Sequence, residues 1–284
     1  MSISKIAVLG SGTMGAGIAQ VAAQSDFEVV LIDVDQKFVD NALAKMGKVL
    51  QKLVEKGKLE VADKDQILSR IKGSIDYEVC KDADLIIEAI IENMELKKQI
   101  YKKLDYICKE STILASNTSS LSITEMAAAT NRPDKVVGMH FFNPAQVMKL
   151  VEVIPGLDTS AETIAAVTEA AKKMGKVPVN AKESPGFIVN RILVPMINEA
   201  VITLGEGIAS TEEIDTAMKL GAGMPMGPLA LADLVGIDVV LAVIEVFHKE
   251  FADSKYRPAL LLKQMVRAGH LGMKTGRGFY NYQK

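Results

Sequence analysis

Only two cysteines occur in the 284 residues, Cys80 and Cys108, and they form no C-x-x-C pair. A thiolate metal site or a disulfide framework is not expected, and both read as packing residues in a reducing compartment. Three histidines, scattered along the chain, give no metal-ligand spacing either. Charge of one sign is also scarce. A formal net charge of −2 provides no global positive field to recruit nucleic acid or an acidic membrane. No long uninterrupted apolar run appears. The two most apolar later segments, 187–204 and 229–247, are broken by Arg191 and Glu199, and by Asp233, Asp238 and Glu245, so neither reads as a membrane span. The first strand-like run begins near Ile3, leaving no room for a signal peptide, and a cytoplasmic location is expected. Internal repeats and low-complexity tracts are absent.

What is present is a normal globular composition, 49% apolar and 24% charged, in a chain long enough for one large domain or two ordinary ones. Ile3 to Leu9 is β-rich and runs directly into Gly10-Ser11-Gly12-Thr13-Met14-Gly15. Helical apolar spacing follows to Gln24, and a second strand-like run, Glu28 to Ile32, ends at Asp33. A glycine pattern of this kind is weak alone, but here strand, helix, second strand and terminal acid are all in place. Gly10 permits the tight turn, Gly12 lets a pyrophosphate approach the backbone, and Gly15 lets helix and strand pack closely. The helix start then offers N–H donors and a positive dipole end. Asp33 can accept from the adenosine ribose hydroxyls. With Asp35 nearby and no arginine, NAD is expected over NADP.

A second constellation lies in Met139-His140-Phe141-Phe142-Asn143-Pro144 and Leu150-Val151-Glu152-Val153. Two apolar runs joined by a short Pro-containing turn can pair, bringing His140 beside Glu152. A carboxylate on one imidazole nitrogen fixes the tautomer and stabilises the imidazolium, leaving the other nitrogen to exchange a proton. The plain alternative is a core histidine beside a strand glutamate.

Further strands are expected at 84–91, 112–116 and 176–179, with helices at 36–58, 94–108, 122–129 and 159–174, Ser122 and Thr159 capping the last two. This alternation predicts a doubly wound sheet. After Glu183-Ser184-Pro185-Gly186 it stops. Helices are expected at 187–204, after Thr211, over a long stretch from Pro228, and from Pro258 to Arg267. The fold class is therefore α/β, an N-terminal Rossmann-type doubly wound domain (1–184) followed by an all-α domain (185–284). Broad apolar faces on the later helices point to a homodimer. Ser119 and Ser120 follow a strand end, where ligands of open α/β sheets bind, although turn and cap chemistry explains them equally. Asn190 stands near the hinge and is a candidate substrate contact, or an ordinary structural asparagine. Lys48, Lys52 and Lys56 recur every four residues on one helix face, either a solvated surface or a cradle for a polyanion such as coenzyme A.

Taken together, these motifs resemble the short-chain L-3-hydroxyacyl-CoA dehydrogenase family over essentially the whole chain, and most of all its bacterial, butyrate-forming branch. The segments that carry the resemblance are Gly10-x-Gly12-x-x-Gly15 with Asp33, Ala115-Ser116-Asn117-Thr118-Ser119-Ser120-Leu121, the two runs bearing His140 and Glu152, Ser184-Pro185-Gly186-Phe187-Ile188-Val189-Asn190-Arg191, and Gly276-x-Gly278-Phe279-Tyr280. The resemblance implies an NAD-dependent oxidoreductase that interconverts 3-hydroxybutyryl-CoA and acetoacetyl-CoA, with His140 as acid/base and Glu152 as its orienting partner. It implies substrate contacts at Ser119, Asn190, Lys52 and Lys56, and cofactor contacts at Gly10, Gly12, Met14, Gly15, Asp33, Glu92, Lys97, Ser119, Asn143 and Lys274. Two rivals stand beside it. A β-hydroxyacid dehydrogenase would use a lysine as acid/base, and a crystallin-like protein would bind NAD without turnover.

Overall fold

The computed structural model describes residues 3–283. The chain divides into two compact units between Glu183 and Ser184. The first is built from β1 (Lys5–Leu9), α1 (Thr13–Gln24), β2 (Glu28–Ile32), α2 (Gln36–Glu55), α3 (Val61–Ser69), β3 (Ile71–Ser74), β4 (Leu85–Glu88), α4 (Met94–Ile107), β5 (Ile113–Ser116), α5 (Ile123–Ala127), β6 (Val136–Phe141), β7 (Leu150–Pro155), α6 (Ala161–Lys173) and β8 (Val177–Asn180). They form one eight-stranded sheet in the order β3-β2-β1-β4-β5-β6-β7-β8. All neighbouring strands are parallel except β6 and β7. Ile6-Ala7-Val8-Leu9, Leu85-Ile86-Ile87 and Ile113-Leu114-Ala115 are buried throughout, because helices cover both faces of a parallel sheet. The strand order reverses at β1, which has β2 on one side and β4 on the other. Ligands of open α/β sheets bind in the crevice this reversal leaves beyond the strands' carboxyl ends.

Sequence spacing does not reveal α3 and β3. Ile71-Lys72-Gly73-Ser74 has no apolar run and pairs only with β2 at the sheet edge. Gly73 stands so close to α2 that a Cβ there would come within 2.4 Å of Val39 Cγ1. Two helix starts also differ from expectation by one residue. Ser160, not Thr159, caps α6 by accepting from the Thr163 N–H, while Thr159 Oγ1 donates to the Val136 carbonyl and accepts from Gly156. Ser122 does cap α5, but Glu125 turns to Lys98 rather than closing a capping box.

The second unit contains α7 (Val189–Gly205), α8 (Thr211–Gly221), α9 (Pro228–Val235), α10 (Ile237–Phe251) and α11 (Leu260–Arg267). Ser210, one residue before the expected Thr211, caps α8 in a full capping box with Glu213. The single long helix expected from Pro228 is two, broken at Gly236, whose φ of 104° suits only glycine. Val194, Ile197, Val201, Leu229, Val240, Ile244, Phe247 and Leu262 make its core. The C-terminal glycine-aromatic segment is held by two buried carboxylates. Phe279 and Tyr280 N–H groups donate to Asp233, and the Tyr280 hydroxyl donates to Asp215. A Cβ on Gly278 would overlap Asp233 Oδ1 at 1.9 Å, so that glycine serves packing. No helix among the described residues is long and apolar enough to cross a membrane.

Candidate active site

The loop after β1 separates its three glycines by physical role. Gly10 has a φ of 94°, and a Cβ there would meet the Ala89 carbonyl oxygen at 2.5 Å. On Gly15 a Cβ would stand 1.8 Å from the Gly10 carbonyl oxygen, so helix and turn pack without room for a side chain. Gly12 is different. Its φ of −64° is open to any residue, and nothing lies within 4 Å of where its Cβ would be. Neither backbone strain nor internal packing demands a glycine at 12, whereas a group laid against the backbone would. Gly12 also starts α1 with no side-chain cap, so the first N–H groups of the helix have no capping side chain. Asp33 faces this loop. Its Oδ2 accepts from the Ser11 N–H at 2.7 Å and hydroxyl at 2.6 Å, and its Oδ1 from the Val34 N–H at 2.7 Å. A dinucleotide pyrophosphate fits this arrangement. Met14 is half-buried and packs against the core beneath the loop.

The acid–base pair comes from strand register. In the one antiparallel pairing of the sheet, His140 is directly opposite Glu152, so both side chains leave the same face. His140 Nδ1 lies 2.7 Å from Glu152 Oε2, with Glu152 fully buried and His140 nearly so. An ionised carboxylate only accepts, so Nδ1 carries the hydrogen of this contact and Nε2 is the basic nitrogen of that tautomer. The Phe142 ring packs against the imidazole, centroid to centroid at 4.5 Å. Asn143 is exposed in the turn between β6 and β7. Lys176 braces that turn, donating to the Ala145 and Met148 carbonyls.

A third cluster fills the carboxyl ends of β4 and β5. Glu88, at 0% exposure, accepts from Lys97 Nζ at 2.6 Å, the Ile90 N–H at 2.8 Å and the Ser116 hydroxyl at 2.7 Å. Lys97 also lies 3.3 Å from Glu92 Oε2. Glu92 in turn accepts from the Thr118 hydroxyl at 3.0 Å and from the Ser119 N–H at 2.8 Å. Asn117 ties this loop to the histidine strand by accepting from the Phe141 N–H at 2.8 Å. Burial and the Glu88 carboxylate push the neighbouring Tyr101 phenol well above its usual range. Ser119, Glu92 and Lys97 are thus gathered in one network. Glu88, Ser116, Asn117 and Phe142 belong to these surroundings, although the sequence assigned none of them a role of its own. The signal for Glu88 was an acid closing the otherwise apolar strand Leu85-Ile86-Ile87.

The remaining expected residues stand on other elements. Lys52 and Lys56 are exposed, Lys52 in the last turn of α2 and Lys56 at its C-cap. Asn190 is half-buried in the first turn of α7 in the second unit. Lys274 is in that unit too, where its ammonium pairs with Asp238 at 2.6 Å.

An open glycine turn on an uncapped helix start, an acid closing β2 and a buried His–Glu pair on one sheet define an NAD-binding oxidoreductase of the Rossmann type. Comparison with known proteins narrows this class. Residues 5–184 match the model of the 3-hydroxyacyl-CoA dehydrogenase NAD binding domain, and residues 186–282 match that of the 3-hydroxyacyl-CoA dehydrogenase C-terminal domain. The chain belongs to the 3-hydroxyacyl-CoA dehydrogenase family, whose members are NAD-dependent oxidoreductases. It is 58% identical to a 3-hydroxybutyryl-CoA dehydrogenase of Clostridioides difficile, over 99% of this chain and 100% of that protein. It is 52% identical to a probable 3-hydroxybutyryl-CoA dehydrogenase of Bacillus subtilis, over 100% of this chain and 99% of that one. The crystal structure of (S)-3-hydroxybutyryl-CoA dehydrogenase from Ralstonia eutropha superposes with a TM-score of 0.97 at 55% identity, covering 100% of both chains.

Proposed function

We infer that this chain interconverts (3S)-3-hydroxybutyryl-CoA and acetoacetyl-CoA. The observation that carries this reading is the buried His140–Glu152 pair, 2.7 Å apart, on the strand next to the one that ends in the Ser119 loop. The names of the Clostridioides difficile and Ralstonia eutropha relatives support the four-carbon substrate. Bound NAD supplies the hydride acceptor, and NADH the donor. In oxidation, His140 Nε2 takes the proton of the C3 hydroxyl; in reduction, the imidazolium returns it to the keto oxygen. Glu152 holds the Nδ1–H tautomer and stabilises the imidazolium that forms. Ser119 and Asn190 donate to the same oxygen and fix its position. Glu92, Asn143 and Lys274 contact the cofactor, while Asp33 binds the adenosine ribose. Lys52 and Lys56 meet the phosphates of coenzyme A from the exposed side of α2.

The test is NADH oxidation by the purified protein with acetoacetyl-CoA, wild type beside His140→Gln. The variant is expected to keep NADH binding and to lose about 10²–10⁴-fold in kcat. Normal turnover by His140→Gln would remove the histidine from the mechanism. We also infer a homodimer, because large apolar side chains of the second unit are exposed in a single chain. Ile192, Ile208, Leu220 and Leu260 are among them.

A further inference from the structure

The fully buried Glu88 lies behind both loops and holds a residue leading to each of them. Its Oε1 holds Lys97 Nζ at 2.6 Å and its Oε2 holds the Ser116 hydroxyl at 2.7 Å. From Lys97 the chain of contacts leads to Glu92 at 3.3 Å, whose side chain is 40% exposed. From Ser116 it leads to the Thr118 N–H at 3.1 Å, and so to the residue before Ser119. The two branches rejoin where Glu92 accepts from Thr118 and Ser119. Lys97 is itself only 1% exposed, and two of its three donors are directed at carboxylates. A ligand therefore has almost no surface of Lys97 to touch. An ammonium in that position acts on what it holds.

On this basis, and resting on the cofactor and substrate roles given above to Glu92 and Ser119, we propose that Glu88 is a positioning residue. Through Lys97 it fixes the carboxylate of Glu92, and through Ser116 it fixes the backbone that carries Ser119. Lys97 works as the bridge in this device. The charge arithmetic explains why an ion pair is used. Two carboxylates share one ammonium, so the cluster keeps a net negative charge, which resides on the partly exposed Glu92. Neutralising Glu88 alone hands the ammonium wholly to Glu92. Removing Lys97 alone leaves two carboxylates close together with no cation between them.

A purely structural ion pair behaves differently from a positioning one, and the double variant separates them. Replacing both partners of a buried pair with neutral residues of similar size is often neutral for stability or stabilising, whereas removing one partner costs heavily. The variants are Glu88→Gln, Lys97→Met and the double Glu88→Gln/Lys97→Met in the full chain. The measurements are Tm, NADH affinity by fluorescence titration, and kcat with KM for acetoacetyl-CoA. Lys97→Met is expected to lower Tm and the double variant to recover it. The double variant should still bind NADH, and turn over, about 10- to 100-fold less well than wild type. Adding Glu92→Gln to it should cost little more, because the position of Glu92 is already lost. A double variant that regains Tm, NADH affinity and kcat together would show the pair to be structural only and overturn the proposal. Should the double variant not fold, Glu88→Gln decides. That substitution keeps the side chain's size and its acceptor for the Ile90 N–H. Weakened NADH binding at unchanged Tm supports positioning, and unchanged binding overturns it. Wild-type protein that binds NADH but leaves acetoacetyl-CoA unreduced would instead count against the substrate reading, and the NADH titrations would still test Glu88.

Discussion

Cys80 and Cys108 show how much a residue's surroundings decide its chemistry. Both are free and buried. Burial, then the neighbouring Cys108, pushes the Cys80 thiol up to about 12. Burial raises Cys108 to about 11, against the pull of Arg132. Thiolate is the reactive form, so at pH 8 neither should react with a disulfide reagent in the native protein, while two thiols per chain should appear on unfolding. A titration with a chromogenic disulfide reagent before and after guanidinium checks this, and a fast-reacting native thiol would contradict it. At the same scale, His140 and Glu152 were legible because their strand partnership follows from two apolar runs and a short turn. Glu88 was not. An acid at a strand end reads as a surface residue until the lysine of the next helix and the serine of the next strand are seen to converge on it.

Among elements, the parallel strands and the helices between them were written in apolar periodicity except α3 and β3, and the errors at the starts of α6 and α8 fall where a boundary depends on a single hydroxyl. Thr159 and Ser160 are both competent caps, and the choice between them is made by the carbonyl of Val136 on another strand. Gly236 breaks what periodicity alone would continue, because the apolar stripe runs on through α10 with the same spacing. The β1–β4 pairing carries a testable tether of this kind. Burial raises Asp84, but hydrogen bonds from Lys109, and from Lys5 and Ser4 at the start of β1, outweigh it and bring the carboxyl down to about 2. Because the folded value is below the unfolded one, this contribution is complete above about pH 4 and is lost as pH falls toward 2. Asp84→Asn should therefore cost about 1–2 kcal/mol at pH 7, and the gap to wild type should close at the acid end. Urea denaturation at several pH values measures it; a gap independent of pH would mean that the tether is not electrostatic.

For the whole molecule, the second unit leaves several large apolar side chains uncovered. Ile192 and Leu260 are each 67% exposed, and Leu220 is 83% exposed, a large apolar display for about a hundred residues of helix. Sedimentation equilibrium should give about twice the 30.6 kDa of one chain, and Ile192→Glu should shift the protein toward monomer if that face is the contact. A wild-type mass of a single chain would end the dimer reading. The sequence indicated such a surface only as an excess of apolar residues, since periodicity cannot say which apolar stripe faces a core and which faces a partner.

The antiparallel pairing of β6 with β7 has a consequence for how this family can diversify. His140 and Glu152 meet because of backbone register within one hairpin, so the proposed acid–base pair is written into a short, contiguous segment of chain. Asn190 and the helical unit around it lie outside that segment. Substitutions, insertions and repacking in the helices can therefore be sampled by selection without disturbing the acid–base pair. On the roles proposed for His140 and Glu152, a library built to change substrate range should leave residues 136–155 untouched.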